Sequence, residues 1–91
     1  MKLYELLEKV NSRETFLGFV DALKNDRVEE IEKEKIKKPS PYGPGTNDWQ
    51  NVTIEDFLDA LHSYGQDSPE IKEEPSWRAF AFLLYAGKMY E

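Results

Sequence analysis

The sequence contains no cysteine, only one histidine and no long apolar run. The absence of cysteine excludes disulfides, thiol catalysis and cysteine-bound zinc. One histidine with scattered carboxylates is a poor ligand set for a transition metal, and no stretch alternates oxygen ligands as a calcium loop does. The longest apolar run, Ala79 to Gly87, is far too short to span a bilayer. We therefore expect no metal, no cofactor and no membrane-spanning segment.

Basic residues are scarce as well. Lysine and arginine together number 12 against 18 aspartates and glutamates, which gives a net charge of -6. This balance repels phosphate backbones and anionic lipids, so nucleic acids and membranes are not expected as partners. A basic protein surface is easier to accommodate, although the charge also serves solubility. The first ten residues mix charged and apolar side chains instead of forming a signal peptide, so we expect a cytoplasmic protein.

The chain is long enough for one helical domain, residues 1–91, with a single core. Its apolar residues recur at helical spacing in four segments. Three of the segments follow a capping residue. The second follows Asn11 or Ser12, with Glu14 at the capping-box position after Asn11, the third follows Thr53, and the fourth follows Ser76. The third segment is predicted to bury a stripe of Ile54, Phe57, Leu58 and Leu61. The apolar residues that share one side of the other segments are Leu3, Leu6, Leu7 and Val10; Phe16, Phe19, Val20 and Leu23; and Trp77, Phe80, Ala81 and Leu84.

The segment between the second and third helices permits more than one structure. Residues 26–38 are rich in helix formers and Glu–Lys pairs, which favours a continuation of helix two or a separate surface helix. A short β-pair between residues 27 and 52 is the less favoured alternative. The Pro- and Gly-rich residues 39–52 are expected to form a surface loop. Gly65 is expected to end helix three in a left-handed conformation.

The last helix, from Trp77 to about Tyr90, is apolar nearly all round, because Arg78 is its only charge before Lys88. Such a helix is either wrapped by the other helices or joins a second copy or a partner. Wrapping is the commoner arrangement. We therefore predict an all-α fold, a small bundle of four to five helices with the apolar C-terminal helix at its centre.

Two aromatic features are candidates for partner binding. Tyr42 and Trp49 flank the Pro/Gly segment, where the Trp ring either folds over the core or offers an aromatic platform to a ligand. Helix four has more apolar residues than one buried face requires. The predicted partner-binding residues are Tyr42, Trp49, Phe82, Tyr85 and Met89.

No catalytic residue is predicted. His62 follows Asp59 by three residues and precedes Ser63, but neighbouring residues on a helix do not face each other, so His62 is badly placed to activate Ser63. We therefore expect a protein that is not an enzyme. Catalysis by His62 with Asp59 or Glu55 is the least favoured alternative.

A wider pattern runs through the C-terminal half and the helix around Phe16–Leu23. It consists of Trp49-x-Asn51-x-Thr53, Phe57-Leu58-x-Ala60-Leu61, Ser76-Trp77-x-x-Phe80-Ala81 and Tyr90-Glu91. The pattern resembles a group of small bacterial proteins of unknown function, with residues 26–46 as a variable insertion. The resemblance implies a bacterial, cytoplasmic, stand-alone domain and carries over no catalytic residue. In this pattern Asn51 is expected to bond the loop backbone and fix the entry to helix three.

The leading functional prediction is a non-catalytic protein-binding module that recognises another protein through the Trp49 loop and an exposed edge of helix four. Its acidity also suits a small immunity or inhibitor protein directed against a basic partner. A third alternative is a self-associating structural protein, with helix four as a symmetric homodimer interface.

Overall fold

The computed structural model describes residues 2–36, 47, 49–69 and 71–90. These residues form four α-helices, which are α1 (Leu3–Glu8), α2 (Arg13–Ile36), α3 (Ile54–Asp67) and α4 (Trp77–Met89). No strand occurs in the described ranges. The prediction of a small all-α bundle is therefore confirmed. Of the predicted loop over residues 39–52, residues 39–46 and 48 lie outside the described residues, and no helix or strand occurs at residues 47 and 49–52.

Residues 27–36 continue helix two, so α2 is one helix of 24 residues. The β-pair is therefore wrong for this stretch. The physical reason is the local sequence: residues one turn apart form ion pairs along the helix, including Glu29–Lys33 at 2.7 Å and Glu32–Lys35 at 3.2 Å. The Lys33 ammonium also lowers the pKa of Glu29 below its ordinary value, through its hydrogen bond and its charge.

Side-chain caps begin the three longer helices. The Thr53 hydroxyl accepts the Asp56 N–H at 3.2 Å, and the Ser76 hydroxyl accepts the Ala79 N–H at 3.0 Å, as the sequence predicts. At α2 the Ser12 hydroxyl accepts the Thr15 N–H at 3.2 Å. The Thr15 hydroxyl accepts the Ser12 N–H in return at 2.9 Å. Thr15 thus takes the capping-box position that was predicted for Glu14.

Helix α4 packs against each of the other three helices, which confirms its predicted central place. The main cluster of buried apolar residues is Leu7, Val10, Phe19, Leu23, Trp49 and Ala81, and Ala60 of α3 and Ala86 of α4 are buried outside it. Arg78 of α4 also holds the end of α1. Its Nε donates to the Val10 carbonyl at 3.1 Å and its Nη2 to the Glu8 carbonyl at 2.9 Å.

Helix α3 packs against α4 alone among the helices and approaches it closely. The ring of Phe57 lies against Gly87, where a β-carbon would come within 2.6 Å of the ring. Gly65 does not end α3, because the helix continues to Asp67. A β-carbon on Gly65 would lie 3.2 Å from the Leu83 side chain, so this glycine also lies where α3 and α4 come close.

The predicted buried stripe of α3 is only partly buried. Phe57 and Leu61 are half-buried, whereas Ile54 is 77% exposed and Leu58 is 56% exposed. The fully buried residue of this helix is Ala60. Because α3 rests on a single neighbouring helix, it buries a narrow face, and the apolar pair Ile54 and Leu58 lies to one side of that face.

Candidate functional site

An apolar groove separates α2 from α3. The two helices both pack on α4 but not on each other, and the gap between them has a volume of about 430 Å³. We call it the α2–α3 groove. Its lining residues come from α2, from the segment before α3, from α3 and from α4, and they are Val20, Leu23, Lys24, Arg27, Val28, Trp49, Asn51, Val52, Thr53, Ile54, Phe57, Leu58 and Leu84.

The rims of the α2–α3 groove expose large aliphatic side chains on both sides. Val28 on α2 is 49% exposed, and Val52 before α3 is 55% exposed; Ile54 and Leu58 complete the rim on α3. Single apolar residues are common on protein surfaces, but four around one cleft form a contiguous patch. Such patches mark binding surfaces in soluble proteins more often than they mark ordinary surface.

The deep part of the groove includes the Trp49 ring. Trp49 is 7% exposed, so of the two predicted alternatives the structure has the ring folded over the core. The ring stacks on Phe57 with centroids 6.3 Å apart. Its Nε1–H donates to Asp26 Oδ2 at 2.8 Å, which gives the polar edge of the indole a partner.

Charged residues of α2 and α4 hold Asn47 and Trp49 in place. Asp26 Oδ2 also accepts from Lys88 Nζ at 2.9 Å, and the Lys88 ammonium lies 5.6 Å from the centroid of the Trp49 ring. Glu30 is fully buried and accepts from Arg27 at 2.9 Å and from the Asn47 N–H at 3.2 Å. We call these residues, Asp26, Arg27, Glu30, Asn47, Trp49 and Lys88, the anchor network.

The loop is also bonded to the C-terminal end of α4. The N–H groups of Gln50 and Asn51 donate to the Lys88 carbonyl at 3.1 and 3.3 Å. The Asn51 amide donates to the carbonyls of Gly87 and Tyr90 at 3.0 and 2.9 Å. Asn51 therefore has a structural role like the one predicted, but its acceptors are Gly87 in α4 and Tyr90 just after it, not the backbone of the predicted loop.

A second, smaller hollow lies along α4 beside Tyr64 of α3. It has a volume of about 260 Å³ and is lined by Tyr64, Phe82, Tyr85, Ala86, Met89 and Tyr90. The Tyr90 hydroxyl donates to Asp67 Oδ2 at 2.6 Å. This hydrogen bond, with partial burial and the Asp67 charge, raises the pKa of Tyr90.

The predicted partner-binding residues fall in three places. Phe82, Tyr85 and Met89 come together around the smaller hollow, and Trp49 lies in the α2–α3 groove. Tyr42 lies outside the described residues. The sequence prediction missed the exposed groove residues Val28, Val52, Ile54 and Leu58. Val52, Ile54 and Leu58 have the spacing of a staple and a buried stripe, so nothing in the sequence marks them as exposed.

His62 is exposed on α3, and no hydrogen bond joins it to Asp59 or Ser63 in the part of the chain that the structure describes. Within the same residues, no group of three or more His, Asp and Glu side chains is placed to hold a metal ion. None of the helices is long and apolar enough to cross a membrane, again over the residues described.

Comparison with known proteins identifies a family and nothing more specific. The model of a family of unknown function, DUF7660, matches residues 12–91. No curated protein and no solved structure matches the chain. The matched residues include α2, α3, α4, the anchor network and every lining residue of the α2–α3 groove, while α1 lies outside them. The chain belongs to the DUF7660 family of unknown function.

Proposed function

We propose that this chain is a non-catalytic protein-binding module of a bacterial cytoplasm, and that it binds its partner in the α2–α3 groove. The observation that carries the proposal is the exposure of Ile54, Leu58, Val52 and Val28 around one cleft. Each side chain contributes little to folding while it is exposed, and each would bury apolar area if a partner filled the groove.

Tertiary contacts hold the walls of the groove in place. Trp49 is held by its stack on Phe57 and by its hydrogen bond to Asp26, and the residues before α3 are bonded to the end of α4. A preformed surface of this kind loses little side-chain and loop freedom on binding. This supports the groove over the Trp ring alone as the contact surface.

The experiment that tests the proposal compares a groove variant with a matched surface variant. Tagged wild-type protein, the double variant Ile54→Asp/Leu58→Asp, and Gln66→Asp on the same helix are used to capture proteins from the cytosol of the producing cell. We expect one partner to be retained by wild type and by Gln66→Asp, and lost with the double variant. Equal capture by all three proteins would contradict the proposal.

A self-associating protein is the second candidate, because another aromatic cluster is partly exposed. Phe16 and Trp77 have ring centroids 5.3 Å apart, and Phe80 lies edge-on to both rings. Trp77 and Phe80 are each about two-fifths exposed. Light scattering across a concentration series separates this candidate from the first. A dimer that Trp77→Ser abolishes and Ile54→Asp leaves intact would favour it.

The immunity or inhibitor alternative rests on the acidic composition alone. A net charge of -6 favours a basic partner at long range. The lining of the α2–α3 groove has no acidic side chain among the described residues, so it offers no contact that would select such a partner.

A further inference from the structure

We infer that the occupant of the α2–α3 groove is an amphipathic helix of a partner protein, with acidic side chains beside its apolar stripe. The inference rests on the proposed function and specifies the shape and charge of the partner. Its basis is the arrangement of three helices around the groove, the spacing of the side chains on its walls, and the sign of its charged residues.

The shape of the groove suits a helix. Helices α2 and α3 both pack on α4 and leave the space between them open above Leu84. Packed helices lie about 8–10 Å apart, so an opening between two helices that share a third is the place where one more helix fits. An added helix would contact α2 on one side and α3 on the other, and so complete a bundle around this side of α4.

The walls present side chains at helical intervals. On α2, Val20, Lys24 and Val28 follow one another at four-residue spacing. On α3, Ile54 and Leu58 have the same spacing. Rows of this kind form ridges and grooves that accept the apolar residues of another helix at positions i, i+3 or i+4, and i+7.

The charged residues of the lining are both cationic. Among the described residues they are Lys24 and Arg27, one turn apart on α2. The carboxylate that pairs with Arg27 is Glu30, which is fully buried and also accepts the Asn47 N–H. Lys24 pairs with Asp21, but both side chains are well exposed, and an exposed pair of this type is weak. Arg27 is thus already compensated, and Lys24 is the cation of the α2 rim that an acidic side chain of the occupant would meet.

This local charge opposes the net charge of the whole chain. Salt screening determines which of the two charges a bound helix senses, because the Debye length is about 8 Å at physiological ionic strength. Lys24 lines the groove and so acts within that distance of a bound helix, whereas acidic residues farther than that from the groove are screened. The partner's acidic residues are accordingly expected next to its apolar stripe, and the remainder of the partner can be neutral or basic.

The test uses two synthetic helical peptides of 16 residues, obtained from a displayed library. The library fixes a leucine stripe and varies only the flanking positions among Glu, Lys and Ser. One peptide has the flank enriched by wild-type protein, and its matched control has the opposite charge at each flank position. Affinities are measured by fluorescence anisotropy at about 50 and 200 mM salt for wild type and for three variants, Lys24→Glu, Ile54→Asp and Lys35→Glu. Lys35→Glu is the control, because the Lys35 side chain is exposed and lies outside the groove.

We expect the library to enrich Glu at the flank and the acidic peptide to bind wild type about threefold or more tightly than the basic one at low salt. Lys24→Glu should remove or reverse this preference, Lys35→Glu should leave it, and 200 mM salt should reduce it. Equal binding of both peptides, or tighter binding of the basic one, with both abolished by Ile54→Asp, overturns the inference and leaves the groove as the binding surface. If no peptide of the library binds, or if Ile54→Asp leaves peptide binding unchanged, the proposed function itself is contradicted.

Discussion

Two carboxylates on α2 join parts of the chain that are far apart in sequence. Asp26 receives hydrogen bonds from Trp49 and from Lys88, and Glu30 receives them from Arg27 and the loop backbone. Lys88 is only 6% exposed, so the Asp26 carboxylate compensates the charge of its ammonium group in place of water. These bonds position the Trp49 ring, and with it one wall of the α2–α3 groove.

Replacing Glu30 should destabilise the fold. Glu30→Gln removes the charge that compensates Arg27 and weakens the acceptor for the Asn47 N–H. We expect the free energy of unfolding to fall by about 2 kcal/mol or more, because a buried ionic acceptor is lost. Urea unfolding followed by circular dichroism measures the change.

The control is Glu32→Gln on the same helix. Its ion pair with Lys35 is exposed on both sides, so the expected change is about 0.5 kcal/mol or less. A loss for Glu30→Gln as small as that for Glu32→Gln would mean that the anchor network does not stabilise the loop.

Tyr90 should titrate at a higher pH than an ordinary tyrosine. Its hydrogen bond to Asp67 raises the pKa of the phenol in the folded state. A raised folded-state pKa means that this bond contributes stability below the unfolded pKa of about 10, and that the contribution is lost as the pH rises through the folded pKa. Asp67→Ala should therefore lower the pKa of Tyr90, as followed by tyrosinate absorbance and assigned with Tyr90→Phe.

The matched control for this titration is Asp59→Ala, which removes an exposed carboxylate from the same helix. Its tyrosinate curve should coincide with that of wild type. Coincidence of the Asp67→Ala curve as well would show that the Tyr90–Asp67 bond is not formed in solution.

At the scale of the helices, two contacts position α3 and α1 against α4. The Phe57 ring lies on Gly87, which allows α3 to approach α4 closely while its other side remains open to the groove. Arg78 donates to the Glu8 carbonyl at the end of α1 and to the Val10 carbonyl just after it, and Leu7 and Val10 enter the core. The groove thus exists because α3 is fixed by α4 and is not held by α2.

Substituting Gly87 should disturb the α3–α4 contact. In Gly87→Ala the new methyl group would lie 2.6–2.9 Å from ring atoms of Phe57, so the ring or the helix has to move. The expected cost is about 1–3 kcal/mol, as for other overpacked cores.

Gly18→Ala is the matched control, because nothing lies within 4 Å of its added methyl group. That control should raise stability by about 0.5–1 kcal/mol, since alanine is the better helix former. Thermal unfolding of the two variants should shift in opposite directions, and a shared sign would contradict this packing.

Helix α1 should contribute to global stability although the family match does not include it. Leu7 is fully buried against α2 and α4, so Leu7→Ala is expected to cost about 2–5 kcal/mol in urea unfolding. Leu17→Ala, at an exposed position of α2, should cost about 1 kcal/mol or less. Similar midpoints for the two variants would mean that α1 is not part of the cooperative unit.

Considered as a whole, the chain is elongated along α2. The helix has 24 residues, which corresponds to a length of about 36 Å, and the longest dimension of the structure is 43 Å. The half of α2 before Arg27 packs on the core, while Val28 and Ile31 further along are exposed. The groove uses the middle of α2, from Val20 to Val28, and Ile31 lies beyond its lining.

Features that depend on neighbouring residues were predicted from the sequence, whereas features that depend on contacts between distant residues were not. The caps at Thr53 and Ser76 and the central α4 were predicted correctly, because they follow from neighbouring residues or from the pattern of one helix. The groove was not predicted, because Ile54 and Leu58 have the spacing of a buried stripe and only tertiary packing leaves them exposed. The Asp26–Lys88 pair joins residues 62 positions apart, and no local pattern marks it.

The most direct test of the central claim is a methyl NMR titration of this chain with the selected acidic peptide. The account predicts that the largest shift changes occur at Val28, Val52, Ile54 and Leu58 around the α2–α3 groove, with little change at Met89 in the smaller hollow. Changes that centre on Met89, or that leave the four groove residues unaffected at saturation, would contradict it.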